Sequence, residues 1–342
     1  MVAVNSRAEK AREISGFDGE LGRSVNRICT FATLITRGTY RVLHFSTGWA
    51  TMYPPNFEYY APKTVQEAIG LLDQHQGEAK VLAGGQSLIG MMKLRLAQPA
   101  ALIDINRIPD LAYIREEDSS LVIGALTRTA ELGRSDLVRA RYPLLADAAG
   151  EIADPTVRNW GTVGGNVSHG DPGNDLPACM MALGAEFRVE GPKGARAVPA
   201  RQFYQDSFVT VLQPNEVLTQ VRIPQAVPGA GGAYSKMERK VGDFATAAVA
   251  VQLGLGKSGS IDLAGIGLTN VGPTAIFASA ASEFLTGKTG TDADLRRAGD
   301  LAADASRPFP DNRGPVEFKK EMVRVWTRRT AARALARARG GK

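Results

Sequence analysis

Two double-glycine segments, Ala83-Gly84-Gly85-Gln86-Ser87 and Gly161-Thr162-Val163-Gly164-Gly165-Asn166, constrain this chain more than any other feature. Glycine takes positive φ without strain and removes the Cβ from a close approach, so successive N–H groups can converge on one anion. The first segment follows a strand-like run, Lys80 to Ala83. It opens a predicted helix with Leu88, Met91, Met92 and Leu96 on one face. The second has the same concavity, with Thr162 and Asn166 adding side-chain hydrogen bonds, and precedes the apolar run Leu176 to Leu183. Two such turns about 80 residues apart can grip adjacent phosphates from opposite sides, as a pyrophosphate-containing cofactor requires. Other nucleotide motifs fail. No G-x-G-x-x-G follows a strand, and Gly254–Ser258 and Gly287–Thr289 have Val251 and Ser282 where a phosphate loop needs its first glycine.

The residue inventory narrows the chemistry. Cys29 and Cys179 are the only cysteines of 342 residues, and His44, His75 and His169 the only histidines. That excludes an iron–sulfur cluster, a four-cysteine zinc site or a disulfide scaffold, so hard redox chemistry needs an organic cofactor or a partner chain. His169, Asp171 and Asp175 lie in a Pro/Gly turn and read as turn and cap residues rather than metal ligands. Asp175 also reads as a ribose-hydroxyl acceptor beside the second turn. Cys179 reads as core packing. No Ser-His-Asp set or Gly-x-Ser-x-Gly elbow offers a nucleophile, so no catalytic and no metal-binding residue is named. The net charge of +6 sits at the ends. Residues 1–51 hold seven Lys/Arg against four acids and residues 319–342 nine against one, leaving a mildly acidic body without interleaved aromatics and no case for nucleic-acid binding.

Residues 1–51 show no sustained helical or strand period and read as an atypical extension, disordered or not native, with Met52 as a natural start; the alternative is an arm that docks on a partner. Thr64 with Glu67 predicts a capped helix whose face is Val65, Ala68, Ile69 and Leu72. Ala101–Ile105, Ser120–Gly124, Phe187–Val189 and Val217–Ile223 read as strands, and Thr129–Ser135 and Leu144–Ile152 as helices. A Pro/Gly-rich hinge at Pro224–Gly232 marks a boundary. Beyond it come strands Thr246–Leu253 and Ile261–Leu268, then helices Ala280–Leu285, Ala293–Ala305 and Val316–Arg339. In the last helix Met322, Val325 and Trp326 read as the packed face. Strands and helices mix without regular βαβ alternation, which predicts an α+β chain. No apolar run approaches the ~20 residues that span a bilayer.

These motifs resemble the FAD-binding medium subunits of molybdenum-containing hydroxylases (the xanthine dehydrogenase family), in particular the carbon monoxide dehydrogenase branch. The likeness rests on Ala83–Ser87 with Met91-Met92-Lys93-Leu94-Arg95, and on Arg158–Asn166 with Asp171-Pro172 and Asp175-Leu176-Pro177. Tyr53–Tyr59 and Asp311-Asn312-Arg313-Gly314 extend it over roughly residues 52–335. Gln86 stands where that branch often has histidine, and Val163 where isoleucine is common.

The resemblance implies a two-lobed FAD-binding domain of the vanillyl-alcohol-oxidase (PCMH) type over 52–227, with lobes about 52–108 and 109–227. A C-terminal α+β domain of the CO dehydrogenase flavoprotein type follows over 228–335. It implies that Ala83, Gly84, Gly85, Gln86, Ser87 and Leu88 wrap the pyrophosphate, and that Thr162, Gly164, Gly165 and Asn166 contact phosphate and nearby ribityl or ribose oxygens. It also places Asp175 on the adenosine side, Ile152 and Ala153 over the isoalloxazine ring, and Leu218 and Lys236 at weaker flavin contacts. Lys236 is read as stabilising negative charge on the reduced ring, against an exposed strand lysine. The implied partners are a large molybdopterin subunit and a small subunit with [2Fe-2S] clusters, in a dimer of heterotrimers. The implied acceptor is quinone, NAD or oxygen, in a cytoplasmic complex peripheral at the inner face of the membrane where quinone accepts. The competing readings are a stand-alone FAD oxidase or dehydrogenase, a xanthine, aldehyde or N-heterocycle dehydrogenase subunit, and an assembly module without flavin.

Overall fold

In the computed structural model, which describes residues 31–36, 39–44 and 53–341, the chain builds three sheets of four or five strands in sequence order. The first comprises β1 (Phe31–Thr36), β2 (Thr39–His44), β3 (Glu58–Tyr60), β4 (Ala79–Leu82) and β5 (Ala101–Asp104), with α1 (Val65–Gln74) and α2 (Leu88–Lys93) between strands. Its order is β1-β2-β3-β5-β4, with β3 and β4 parallel to β5. The stretch before Met52 thus contains a hairpin that its sequence pattern does not announce. β3 offers a free edge opposite β5, and β2 takes it through Tyr40↔Tyr59 and Arg41↔Glu58. The rest of residues 1–51 lies outside the described residues.

α1 is capped as expected: Thr64 Oγ1 accepts from Glu67 N–H, Glu67 accepts from Lys63 N–H, and Ala68, Ile69 and Leu72 are buried. α2 departs from its expected length and face. The N–H of Leu96 bonds Met91 O and Arg95 takes a left-handed φ of 62°, so the helix ends at Lys93. Met92 alone of the expected face is buried, while Leu96 is 70% exposed.

The second sheet is antiparallel in the order β6-β7-β12-β8-β9. Its early strands are β6 (Ile114–Glu117) and β7 (Ser120–Gly124). Six helices then run without a strand: α3 (Thr129–Arg134), α4 (Asp136–Arg141), α5 (Pro143–Glu151), α6 (Pro155–Trp160), α7 (Val163–Ser168) and α8 (Asp175–Ala182). The sheet is completed by β8 (Glu186–Gly191), β9 (Gly194–Pro199) and β12 (Val217–Ile223), with β10 (Tyr204–Asp206) and β11 (Val209–Thr210) paired on their own. All eight residues of α8 are buried.

The Pro/Gly-rich stretch is a loop only as far as Gly229. Gly231 and Gly232 already belong to β13 (Ala230–Met237), which pairs with β14 (Ala247–Leu255), β15 (Ile261–Thr269) and β16 (Ile276–Phe277) in an antiparallel sheet. α9 (Ser279–Leu285), α10 (Asp292–Ala305) and α11 (Val316–Ala338) follow. α11 crosses β13 and β14, and α8 packs on β14 and β15, so β14 is buried from Ala247 to Gly254. A Cβ at Gly265 or Gly267 would stand 2.1 Å from the carbonyl oxygens of Ala182 and Ala178; only glycine lets α8 lie this close.

The buried face of α11 is Lys319, Val323, Thr327, Thr330, Ala331, Ala334 and Leu335. The expected face of Met322, Val325 and Trp326 is only half-buried, because a helix resting on the small residues of β13 and β14 needs small residues itself. Among the described residues no helix is long and apolar enough to cross a membrane.

Asp147 on α5 joins the second sheet's helices to the last. Its carboxylate accepts from Arg337 (2.7 and 3.1 Å), Arg333 (3.0 Å) and the N–H of Tyr234 (3.2 Å). Asp147→Ala removes four hydrogen bonds from three residues and is expected to destabilise the chain by about 2 kcal/mol in denaturant unfolding. Unchanged stability would show that solvent replaces the contact.

Candidate cofactor site

The two glycine segments meet. A Cβ on Gly84 would lie 2.2 Å from Trp160 O and 3.0 Å from Gly161 Cα, and one on Gly165 would lie 4.0 Å from the Ala83 Cβ. Gly85 turns the chain at φ +72°. Asn106 and Arg128 brace the junction. Asn106 Nδ2 donates to Ala83 O at 2.7 Å, Arg128 Nη2 donates to Asn106 Oδ1 at 3.0 Å, and Arg128 Nη1 donates to Trp160 O at 2.7 Å. The guanidinium also lies over the Trp160 ring. Neither residue was identified from sequence, because neither stands in a glycine motif. Their signal is only that both are polar and lie just after strands, Asn106 after β5 and Arg128 after β7.

Among the described residues, the N–H groups of Gly84, Gly85, Gln86 and Ser87 donate to no protein acceptor. Gln86 and Ser87 are exposed, Gln86 Nε2 returns to Gly84 O (3.2 Å), and Leu88 is half-buried. The first segment is therefore an open row of donors.

The second segment is not a matching row. It is the start of α7, and its donors are engaged: Val163 N–H to Thr127 O, Gly164 N–H to Ala125 O, Gly165 N–H to Thr162 Oγ1 and Asn166 N–H to Thr162 O. Gly164 is needed for packing, since its Cβ would stand 2.6 Å from the Ala125 Cβ. The expected two-sided backbone grip thus reduces to one side. What the second segment presents is Asn166 Oδ1, buried and without a hydrogen-bond partner. Leu218 is buried in the core on β12, the strand against α7.

Ile152, Ala153, Asp175 and Lys236 form a second group. Ile152 is buried and Ala153 half-buried with φ +43°. Lys236 is not an exposed strand lysine. Its side chain is 1% exposed, and Nζ donates to Glu151 O (2.9 Å) between Asp175 and Glu238, each at 3.5 Å. Asp175 is neither a helix cap nor an open acceptor. It is the first residue of α8, and its Oδ1 accepts from Tyr234 Oη at 2.5 Å. The expected adenosine-side role does not fit a carboxylate turned inward on Tyr234 and Lys236. Burial pushes its pKa up to about 6, with Lys236 and Tyr234 opposing the rise. Among the described residues no group of three His, Cys, Asp or Glu could hold a metal ion.

A row of free N–H donors, backed by a glycine that admits no Cβ, fits a diphosphate, and the second segment adds an orphaned buried acceptor, Asn166 Oδ1. Fold and site together define a flavin-binding chain of the two-lobed kind, with its own C-terminal sheet-and-helix unit. Residues 55–226 match the FAD binding domain in molybdopterin dehydrogenase, and residues 232–334 the CO dehydrogenase flavoprotein C-terminal domain. The chain is 49% identical to the carbon monoxide dehydrogenase medium chain of Hydrogenophaga pseudoflava, over 84% of this chain and 99% of that one. It is 36% identical to the 6-hydroxypseudooxynicotine dehydrogenase complex subunit alpha of Paenarthrobacter nicotinovorans, over 85% and 98%. A solved structure of carbon monoxide dehydrogenase from Hydrogenophaga pseudoflava, lacking the Mo-pyranopterin moiety, superimposes with a TM-score of 0.82 over 84% of this chain and 99% of that chain, at 50% identity. The chain belongs to the family of FAD-binding medium subunits of molybdenum hydroxylases.

Two variants separate cradle from packing. Gly84→Ala drives a Cβ into Trp160 O and is expected to abolish flavin retention. Gly90→Ala, in open space on α2, keeps the flavin and adds about 0.5–1 kcal/mol. Equal flavin content in both proteins would refute the cradle.

Asp175 yields a pH prediction. The folded chain holds its proton up to about pH 6, whereas the unfolded chain loses it near 3.8, so its contribution to stability falls as pH rises through that window and is flat above. In Asp175→Asn that fall is absent. The stability of the variant relative to the native chain should rise between about pH 4 and 6, as read by urea unfolding.

Proposed function

We propose that this chain is the electron-transfer subunit of a three-part molybdenum hydroxylase of the carbon monoxide dehydrogenase type. The observation that carries this reading is the open donor row of Gly84–Ser87 seated against Trp160, a cradle for the pyrophosphate of FAD. FAD held there would supply one- and two-electron chemistry between the iron–sulfur clusters of a small subunit and an acceptor that is quinone, NAD or oxygen.

In this reading the first segment binds the diphosphate through backbone N–H groups, with Leu88 beside it. Asn166 Oδ1 accepts from a hydroxyl of the ribityl or ribose part, and Thr162, Gly164 and Gly165 hold α7 in place beneath it. Ile152 and Ala153 cover the ring and exclude water. Lys236 brings a buried cation to that side, held by Glu151 O and balanced by Asp175 and Glu238. Leu218 supports α7 from the core. No residue here abstracts a proton from substrate. Substrate oxidation falls to the large molybdopterin subunit, whose pocket decides among carbon monoxide, aldehydes and N-heterocycles. We further propose a dimer of heterotrimers in the cytoplasm, peripheral at the membrane where quinone accepts.

The test is native isolation of this chain from its own organism with cofactor and metal analysis. Recovery of two further chains with molybdenum, iron and FAD is expected. Recovery of the chain alone, carrying flavin and turning over a substrate unaided, would replace this reading with an independent flavoenzyme. Recovery of neither partner nor flavin would leave an assembly module.

A further inference from the structure

The carbonyls of residues 150 to 153 are gripped one after another by two cations. Arg158 Nη1 donates to Gly150 O (3.2 Å), Ile152 O (2.9 Å) and Ala153 O (2.9 Å), and Lys236 Nζ donates to Glu151 O (2.9 Å). α5 ends at Glu151, so Gly150 and Glu151 are among the terminal carbonyls that a helix leaves without partners, where positive charge is favoured. Beyond them Ala153 takes a left-handed φ of +43°, which a residue with a Cβ adopts only under constraint. The loop carrying Gly242 closes over it, a Cβ there standing 3.2 Å from Ala153 O. Arg158 forms no ion pair among the described residues, so its guanidinium is devoted to this backbone. It sits on α6, whose last residue, Trp160, turns its carbonyl onto Gly84. One short helix therefore fixes both the turn at Ala153 and the seat of the donor row.

We propose that Arg158 is a positioning residue that, together with Lys236, locks residues 150–153 into the left-handed turn that presents Ile152 and Ala153 to the ring end of the bound flavin. This rests on the FAD reading above and adds a division within the site: Arg158 governs affinity for the ring end and not for the diphosphate end.

The division can be measured in the assembled complex after flavin removal, titrating FAD and, separately, ADP, which reaches only the diphosphate cradle. Arg158→Ala is expected to weaken FAD about tenfold and to leave ADP within about twofold of the native value. Adding Ala153→Gly, which takes positive φ without strain, is expected to recover most of the FAD loss. Should Arg158→Ala not assemble, Arg158→Lys tests the same point. Lysine ends one bond short of the Nη1 that bonds all three carbonyls, so FAD should weaken about threefold with ADP unchanged. Equal weakening of FAD and ADP, no weakening of either, or no rescue by Ala153→Gly would each overturn the proposal. A native complex that binds no FAD would instead sink the flavin reading itself.

Discussion

The contact on which this structure turns is that of Gly84 with the carbonyl of Trp160. Two stretches of backbone separated by about 75 residues approach so closely that neither tolerates an intervening methyl group. Asn106 and Arg128 hold that approach by bonding the carbonyls on either side of it, Ala83 O and Trp160 O. Because those carbonyls are satisfied by the brace, the N–H groups of the turn stay free for an anion. Donor and acceptor faces of the same backbone are thereby separated, one inward to the protein and one outward to a ligand.

Behind the cradle, the C-terminal unit is joined to the rest through buried contact rather than a tether. α8 is enclosed on all sides, the glycines of β15 let it sit directly on the sheet, and Asp175 at its first position is satisfied by Tyr234 and Lys236 from β13. A carboxylate and an ammonium so deeply buried are tolerated because each has the other and a neutral hydrogen-bonding partner, Tyr234 Oη for one and Glu151 O for the other. Asp147, bonded by Arg333 and Arg337, repeats the arrangement nearer the surface.

Much of this was legible beforehand, and the failures share a cause. The α+β class, the Thr64 cap of α1 and the glycine segments carry their physics locally, in residues adjacent in sequence. The family likeness followed from the same motifs. Misread features depend on what lies opposite. The face of α11 is chosen by the small residues of β13 and β14, which favour Thr327, Thr330 and Ala334 over Trp326. The inward turn of Asp175 is dictated by Tyr234, 59 residues away. The donors of Val163 and Gly164 are taken by carbonyls of the segment after β7, so a glycine pair identical in type to Gly84-Gly85 serves helix packing instead. The β1–β2 hairpin required knowing that β3 keeps a free edge.

The position of Lys236 along the chain carries one more implication, concerning order of synthesis. On the proposed reading, the diphosphate cradle is complete once residues up to about 170 have emerged, but the turn at Ala153 awaits an ammonium from β13, balanced by Asp175 and Glu238. A nascent chain would then hold the phosphate end of its cofactor before it could fix the ring end. Firm retention of flavin then reports that the last third of the polypeptide has folded onto the first two.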